Sequence, residues 1–180
     1  MIDLVERAQR GDADAFGLLA GGVTDRLYAT AYLVLRDRAL AEDAVQEGLV
    51  RAWTELPRLR ERDRFEAWIR RIVLRQALDE ARRARSRPRL TVLEHDGPAV
   101  DGHHDAIGVR DWLDSALARL TPEHRAVLVL RHYLGLSVPE IAGALDLRLG
   151  TAKSRLHHAT QAMRAALDAD ARADARRHLA

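Results

Sequence analysis

Apolar residues recur every three to four positions along most of this chain, a spacing that is typical of amphipathic helices. The clearest case runs from Arg38 to Leu56, where Asp37 is a candidate N-cap and Pro57 closes the pattern. No segment alternates apolar and polar residues as a half-buried strand would. The pattern therefore predicts an all-α fold, with further helices at Ile2–Arg10, from Ala13 to Gly21, at Val23–Leu35 and from Arg64 to about Arg85.

The stretch Leu136–Leu167 has the pattern of a helix-turn-helix. Ser137 and Glu140 have the spacing of a capping box, which predicts that a short helix begins there. Residues 146–148 interrupt the apolar pattern, and a longer second helix is predicted after them. The buried side of that helix is predicted to be one stripe of Ala152, Leu156, Ala159, Met163 and Ala166.

The outer face of that second helix is uncharged to basic. Ser154, His157 and Gln161 lie opposite the apolar stripe, and no acidic residue occurs between Asp146 and Asp168. Such a face suits the major groove of DNA, where side chains donate to bases and phosphates. The alternative interpretation is a pair of ordinary amphipathic helices in an α-helical protein.

The run Gly150–Leu156 (GTAKSRL) resembles a run found in bacterial sigma factors of the sigma-70 family, most closely in the extracytoplasmic-function group. In that family the run opens the helix that reads the −35 promoter element. Asp146 stands where the family commonly has Gly, and Arg148 stands where Pro is frequent. The resemblance implies that the −35 contacts are Arg148, Thr151, Lys153, Ser154, Arg155, His157, His158 and Gln161.

An acidic turn lies near the start of the predicted helix at residues 38–56. Asp43 to Glu47 (DAVQE), followed by Arg51-Ala52-Trp53, resembles sigma region 2.2, which docks on the clamp helices of the RNA polymerase β′ subunit. The resemblance implies polymerase contacts at Asp43, Gln46, Glu47 and Val50. A solvated acidic turn that merely suits the helix dipole is the alternative.

The predicted helix from Arg64 to about Arg85 is rich in arginine, and basic stripes of this kind contact phosphates. Residues 65–72 (FEAWIRRI) and 77–79 (ALD) resemble sigma regions 2.3–2.4, which melt and read the −10 element. In this group the preceding loop, Pro57–Asp63, captures a base flipped out of the non-template strand. The implied −10 contacts are Arg58, Arg60, Arg62, Arg70, Arg71, Arg75, Asp79, Arg82 and Arg83.

The sequence predicts two helical domains joined by a flexible acidic linker. Residues 1–88 would form the region 2 domain, 89–108 the linker, 109–168 the region 4 domain, and 169–180 a polar tail that frays. In the second domain Thr121 is a candidate N-cap before Pro122, and Gly135 a helix stop. The linker contains His95, His103 and His104, but a Gly-rich segment offers no fixed geometry, so no metal or cofactor is expected.

Composition narrows the class of protein further. The chain has 180 residues, no cysteine and a net charge of +2, so neither a disulfide framework nor a cysteine zinc site is available. The N-terminus does not resemble a signal peptide and no apolar run is long enough for a membrane span, which favours a cytoplasmic protein. No nucleophile–base pair or phosphate-binding Gly loop indicates an enzyme.

The family resemblance implies a sigma factor that binds core RNA polymerase through the β′ clamp helices and the β flap. It would direct transcription to promoter DNA through −10 and −35 elements, under control of a separate anti-sigma factor. Two alternatives stay open from the residues alone. One is a helix-turn-helix regulator that binds an operator without polymerase, and the other is a helical adaptor that contacts only protein.

Overall fold

The computed structural model describes residues 1–86 and 113–177. Every regular element within those residues is a helix, which confirms the predicted all-α class. The chain divides into two compact units, and the first contains the five helices of the N-terminal half. The predicted linker and its histidines lie outside the described residues.

The first unit contains five helices whose ends follow the predicted signals closely. Asp12 caps the second helix by accepting the Ala15 backbone N–H at 2.9 Å, and Asp37 caps the fourth by accepting that of Leu40 at 3.0 Å. The bond from Ala15, together with the Arg7 guanidinium, holds the pKa of Asp12 below its ordinary value. The helices are α1 (Ile2–Gln9), α2 (Ala13–Gly21), α3 (Thr24–Leu35), α4 (Arg38–Glu55) and α5 (Phe65–Ser86).

The core of this unit lies between α3, α4 and α5. Phe65 and Ile69 of α5 are fully buried there, together with Leu56 at the end of α4. Helices α4 and α5 cross closely at Gly48, where a Cβ atom would lie 2.6 Å from Cγ2 of Val73. Gly48 therefore sets the distance between the two helices, and it lies among the apolar residues of α4.

The segment between α4 and α5 is more ordered than the predicted polar loop. Residues Leu56–Arg58 and Arg62–Arg64 each form a 3₁₀ turn, so only the middle of the segment is irregular. Asp63 lies inside the second turn and α5 begins at Phe65, one residue later than the cap at Asp63 predicts. Asp63 does not serve as the N-cap because it is already part of this 3₁₀ turn, which the bond from Arg64 N–H to the Glu61 carbonyl closes.

The second unit contains α6 (113–118 of the described residues), α7 (Pro122–Leu128), α8 (Val138–Leu145) and α9 (Leu149–Arg177), although part of α8 groups with the first unit. Thr121 caps α7 as predicted, accepting the His124 backbone N–H at 3.2 Å. A π turn at Val129–Tyr133 continues α7, and Gly135 ends it with a φ of +68°.

The helix-turn-helix forms at the predicted positions. Glu140 accepts both the backbone N–H and the hydroxyl of Ser137, at 2.8 and 2.6 Å, which completes the capping box. A turn of three residues separates α8 from α9. Asp146 adopts a φ of +53°, and the Leu147 N–H donates to the Ala142 carbonyl at 2.8 Å, as in a Schellman motif.

The prediction that the chain frays after Leu167 is wrong, because α9 continues to Arg177. Asp170 is buried and accepts a bond from Arg119, a residue near the end of α6. Alanine and arginine also have high helix propensity, which favours continuation of the helix. Within residues 1–86 and 113–177, no helix combines the length and the apolar character that crossing a membrane requires.

Candidate nucleic-acid interface

Helix α9 has one buried side and one exposed side, as the apolar stripe predicts. Ala152 and Ala159 are fully buried and Ala166 is nearly so, while Leu156 and Met163 are half-buried. Small residues at these positions let α9 lie close to α7. The exposed side then carries most of the predicted −35 residues, namely Thr151, Lys153, Ser154, His157, His158 and Gln161, and Arg148 is exposed in the turn directly before α9.

An open groove lies between the exposed side of α9 and the start of α8. Val138 of α8 and residues of α9 on successive turns enclose this groove, which has a volume of about 360 Å³. The groove has an apolar floor and a rim that donates hydrogen bonds or carries positive charge. Its lining is Val138, Lys153, Leu156, His157, Thr160, Gln161 and Arg164.

Five of the eight predicted −35 residues lie outside this groove, namely Arg148, Thr151, Ser154, Arg155 and His158. The Ser154 hydroxyl donates to the Thr151 carbonyl at 3.1 Å, so part of its hydrogen-bonding capacity is used within the helix. Arg155 is half-buried on the side nearer the apolar stripe. His158 is exposed and its ring meets that of His157 edge to face, with centroids 5.7 Å apart.

The arginines of α5 fall into two groups. Arg71 and Arg75 are exposed near the start of the helix, while Arg70 is half-buried. Near the C-terminal end the arginines pair with acids one turn earlier, since Arg82 donates to Asp79 at 2.8 Å and Arg83 donates to Glu80. The second group is therefore partly neutralised within the helix, a feature that the arginine count alone did not reveal.

A second open concavity, of about 190 Å³, lies between α4 and α5. Three arginines and Trp68 line it, a combination of residue types that suits phosphates and stacked bases. Arg51, which was not predicted as a site residue, reaches the concavity from α4 while its Nε donates to Glu55 at 2.8 Å. The lining residues are Arg51, Glu55, Trp68, Arg71, Ile72 and Arg75.

The acidic turn of α4 is exposed to solvent. Asp43, Gln46 and Glu47 all lie on its surface, and Val50 is 69% exposed although it is apolar. Glu47 lies 3.9 Å from the guanidinium of Arg83, which links this face weakly to the end of α5. An exposed valine bordered by acids is a surface that a basic protein partner with an apolar contact would match.

The predicted base-capturing loop, Pro57–Asp63, is tied to α1 by Gln9. The Gln9 side-chain amide donates to the carbonyls of Leu56 and Leu59, at 3.1 and 2.7 Å. Arg62 in turn donates from Nε to the Gln9 side-chain oxygen at 2.7 Å. Arg58 and Arg60 are exposed. No sequence signal pointed to Gln9, because its partners lie about fifty residues away along the chain.

Comparison with known proteins identifies the family to which the chain belongs. A family model described as Sigma-70 region 2 matches residues 22–87, and one described as Sigma-70, region 4 matches residues 110–163. The ECF RNA polymerase sigma factor SigL of Mycobacterium tuberculosis is 36% identical over 145 residues, covering 78% of this chain and 82% of that protein.

Two solved structures have a similar fold over most of the chain. CnrH, in complex with the cytosolic domain of CnrY, has a TM-score of 0.64 and 28% identity, covering 94% of this chain and 97% of its own. The sigma factor RpoE, in complex with the anti-sigma factor NepR from Bartonella quintana, has a TM-score of 0.62 and 25% identity, covering 86% of this chain and 98% of its own. The chain therefore belongs to the sigma-70 family of RNA polymerase sigma factors, in the extracytoplasmic-function group.

Proposed function

We propose that this protein binds core RNA polymerase and directs it to promoters by contacting the −10 element with its first unit and the −35 element with its second. The observation that carries the proposal is the exposed side of α9, where Lys153, His157 and Gln161 line one groove. The buried alanine stripe keeps this side outward, and donors on successive turns suit the major groove.

The first unit supplies the other two surfaces. The exposed arginines of the loop Pro57–Asp63 and the concavity beside Trp68 bind the −10 strand, and the acidic face of α4 docks on the polymerase. Acids suit a polymerase surface better than DNA, since phosphates repel them. The domain limits follow the same division, with residues 1–88 acting on the −10 element, 109–168 on the −35 element, and 89–108 joining them.

The protein performs no covalent chemistry itself in this proposal, and it acts in the cytoplasm, where polymerase and promoter meet. We infer that a separate anti-sigma factor inhibits it, since the structure of RpoE, which has a similar fold, was solved in complex with such a partner. The β flap of the polymerase holds the second unit at the −35 element.

Transcription from a candidate promoter by purified core polymerase, with and without this protein, tests the proposal. We expect initiation at one defined start site only when the protein is present. Tight, sequence-specific binding by the protein alone would instead favour an operator-binding regulator. A sigma factor is not expected to bind in this way, since one small helix-turn-helix contacts too little surface for tight binding by itself. Assembly on polymerase without any promoter contact would favour a helical adaptor.

A further inference from the structure

We propose that Gln9 of α1 is a positioning residue that fixes the shape of the loop Pro57–Asp63, and through that loop determines which −10 base is accepted. The inference rests on the proposed role of this loop in −10 recognition. It extends the recognition apparatus to α1, which precedes the residues matched by the region 2 family model.

The side-chain amide of Gln9 makes three hydrogen bonds, all of them to the segment between α4 and α5. Its nitrogen donates to the Leu56 and Leu59 carbonyls, and its oxygen accepts from the Arg62 guanidinium. The contacts therefore reach the first 3₁₀ turn, the residue after it and the start of the second turn. One side chain thus holds both ends of the irregular segment against α1.

Few other residue types satisfy this arrangement. A glutamate at position 9 would keep the bond from Arg62 but would place a second oxygen against two carbonyls, where it has no proton to donate. An alanine would leave all three contacts unmade. Among the described residues, the backbone bonds of this segment join Leu59 N–H to Leu56 and Arg64 N–H to Glu61, each at 3.0 Å, so neither of them reaches α1.

The segment from Leu56 to Arg60 contains both buried and exposed side chains. Leu56 is fully buried and Leu59 is half-buried against the core, whereas Arg58 and Arg60 are exposed. The direction in which those two arginines project depends on the backbone that Gln9 holds. A pocket that accepts one base and rejects others needs its walls held within a fraction of an ångström, so a loosened loop is expected to lose discrimination before it loses affinity.

The test uses holoenzyme assembled with the full-length protein on a premelted promoter, so that strand separation does not enter the measurement. Affinity is measured for four templates that differ only at the most strongly discriminated non-template −10 base. The variants are Gln9→Ala, Gln9→Glu, the control Arg10→Ala, and the loop variant Arg58→Ala with Arg60→Ala. Arg10 is exposed directly after α1 and pairs only with Glu6 among the described residues, at 3.6 Å.

We expect Gln9→Ala and Gln9→Glu each to lower the preference for the best base over the worst by about fivefold, with core affinity unchanged. Trypsin should also cleave after Arg58 about fivefold faster than in the control, because the loop opens more often. A purely structural role would lower affinity for all four templates alike and leave their ratio unchanged. If Gln9→Ala does not fold, Gln9→Glu carries the test, since it keeps the contact with Arg62.

Two results overturn the inference, and they are distinguishable. If the loop variant loses base preference while both Gln9 variants discriminate like the Arg10→Ala control, the loop reads the base and Gln9 does not position it. If the loop variant itself retains full base preference, the proposed role of the loop fails and the inference about Gln9 fails with it.

Discussion

Arg125 shows what a single side chain contributes inside the second unit. It is only 6% exposed, and its guanidinium donates to the carbonyls of Leu117 and Leu120, at 3.3 and 2.9 Å. These carbonyls belong to the end of α6 and the turn after it, where a helix leaves acceptors without partners. The Leu117 carbonyl also accepts the Leu120 backbone N–H at 3.1 Å, so Arg125 adds a second donor there while it binds the Leu120 carbonyl and joins α6 to α7.

Arg125→Ala should lower the free energy of unfolding by about 1–3 kcal/mol, because two buried carbonyls lose a charged donor. The exposed Arg164→Ala is the matched control, and we expect a change within about 0.5 kcal/mol there. Urea titration of both variants measures the difference. Equal stability of the two variants would mean that water replaces the guanidinium without cost.

We expect two residues of the α9 groove to distinguish base reading from phosphate binding. His157→Ala should change the preferred −35 sequence, since a lost base contact costs about 1–3 kcal/mol at one base pair. Lys153→Ala should weaken binding to every sequence and lower the salt slope by about one unit. Holoenzyme binding to a panel of −35 variants at several salt concentrations measures both effects. The opposite pattern would show that the helix is rotated relative to this assignment.

At the scale of elements, the crossing of α4 and α5 depends on Gly48. A Cβ atom there would lie 2.6 Å from Cγ2 and 3.2 Å from Cα of Val73. Valine in a helix has one strongly preferred rotamer, so its methyl group cannot move aside. The two helices that carry the acidic face and the predicted −10 arginines are therefore held at a distance that only glycine permits.

Gly48→Ala should destabilise the protein by about 1–3 kcal/mol, since the clash outweighs the helix propensity of alanine. Gly17→Ala in α2 is the control, because no atom outside its own helix lies within 4 Å of its Cβ position. That control should raise stability by about 0.5–1 kcal/mol. Thermal unfolding of both variants compares them, and a stabilised Gly48→Ala would refute the close approach.

Helix α5 is expected to assist strand separation. Replacing Arg70 and Arg71 by Ala should leave holoenzyme assembly intact but slow open-complex formation on duplex promoters. A premelted bubble should restore most of the activity, because the strands are already apart. The control is Arg38→Ala, an exposed arginine in the first turn of α4. An equal defect on premelted DNA would assign Arg70 and Arg71 to a different step.

For the whole molecule, the small net charge of +2 conceals a separation of charge between surfaces. The acidic face of α4 carries Asp43 and Glu47, while the exposed sides of the loop, α5 and α9 are mainly basic. Each surface suits a partner of opposite charge, and in the proposed function these partners are a basic patch of the polymerase and the phosphates of DNA.

Reversing the charge with Asp43→Lys and Glu47→Lys should weaken core polymerase binding at least about tenfold, because close interfacial charge pairs contribute about 1.5–7 kcal/mol. Asp14→Lys with Asp25→Lys is the control, since it changes the net charge equally at exposed positions on α2 and α3. Titration of labelled polymerase measures both affinities, with circular dichroism confirming the helical content. Wild-type affinity in the first variant would exclude this face as the docking surface.

The sequence by itself determined the elements whose signals are local. The caps at Asp12, Asp37, Thr121 and Ser137 form as predicted because each bond closes within three residues. The helix-turn-helix and the outward side of α9 followed from apolar spacing for the same reason, since a helical period places side chains on one face without reference to distant residues.

Only the tertiary structure decided which distant groups meet. Gln9 binds carbonyls 47 and 50 positions away, and Arg119 bonds Asp170 at a separation of 51, in the part of α9 that was predicted to fray. The pairing of Arg83 with Glu47 likewise depends on how α5 packs against α4. Such contacts depend on the packing of whole helices, so no local pattern of residues specifies them.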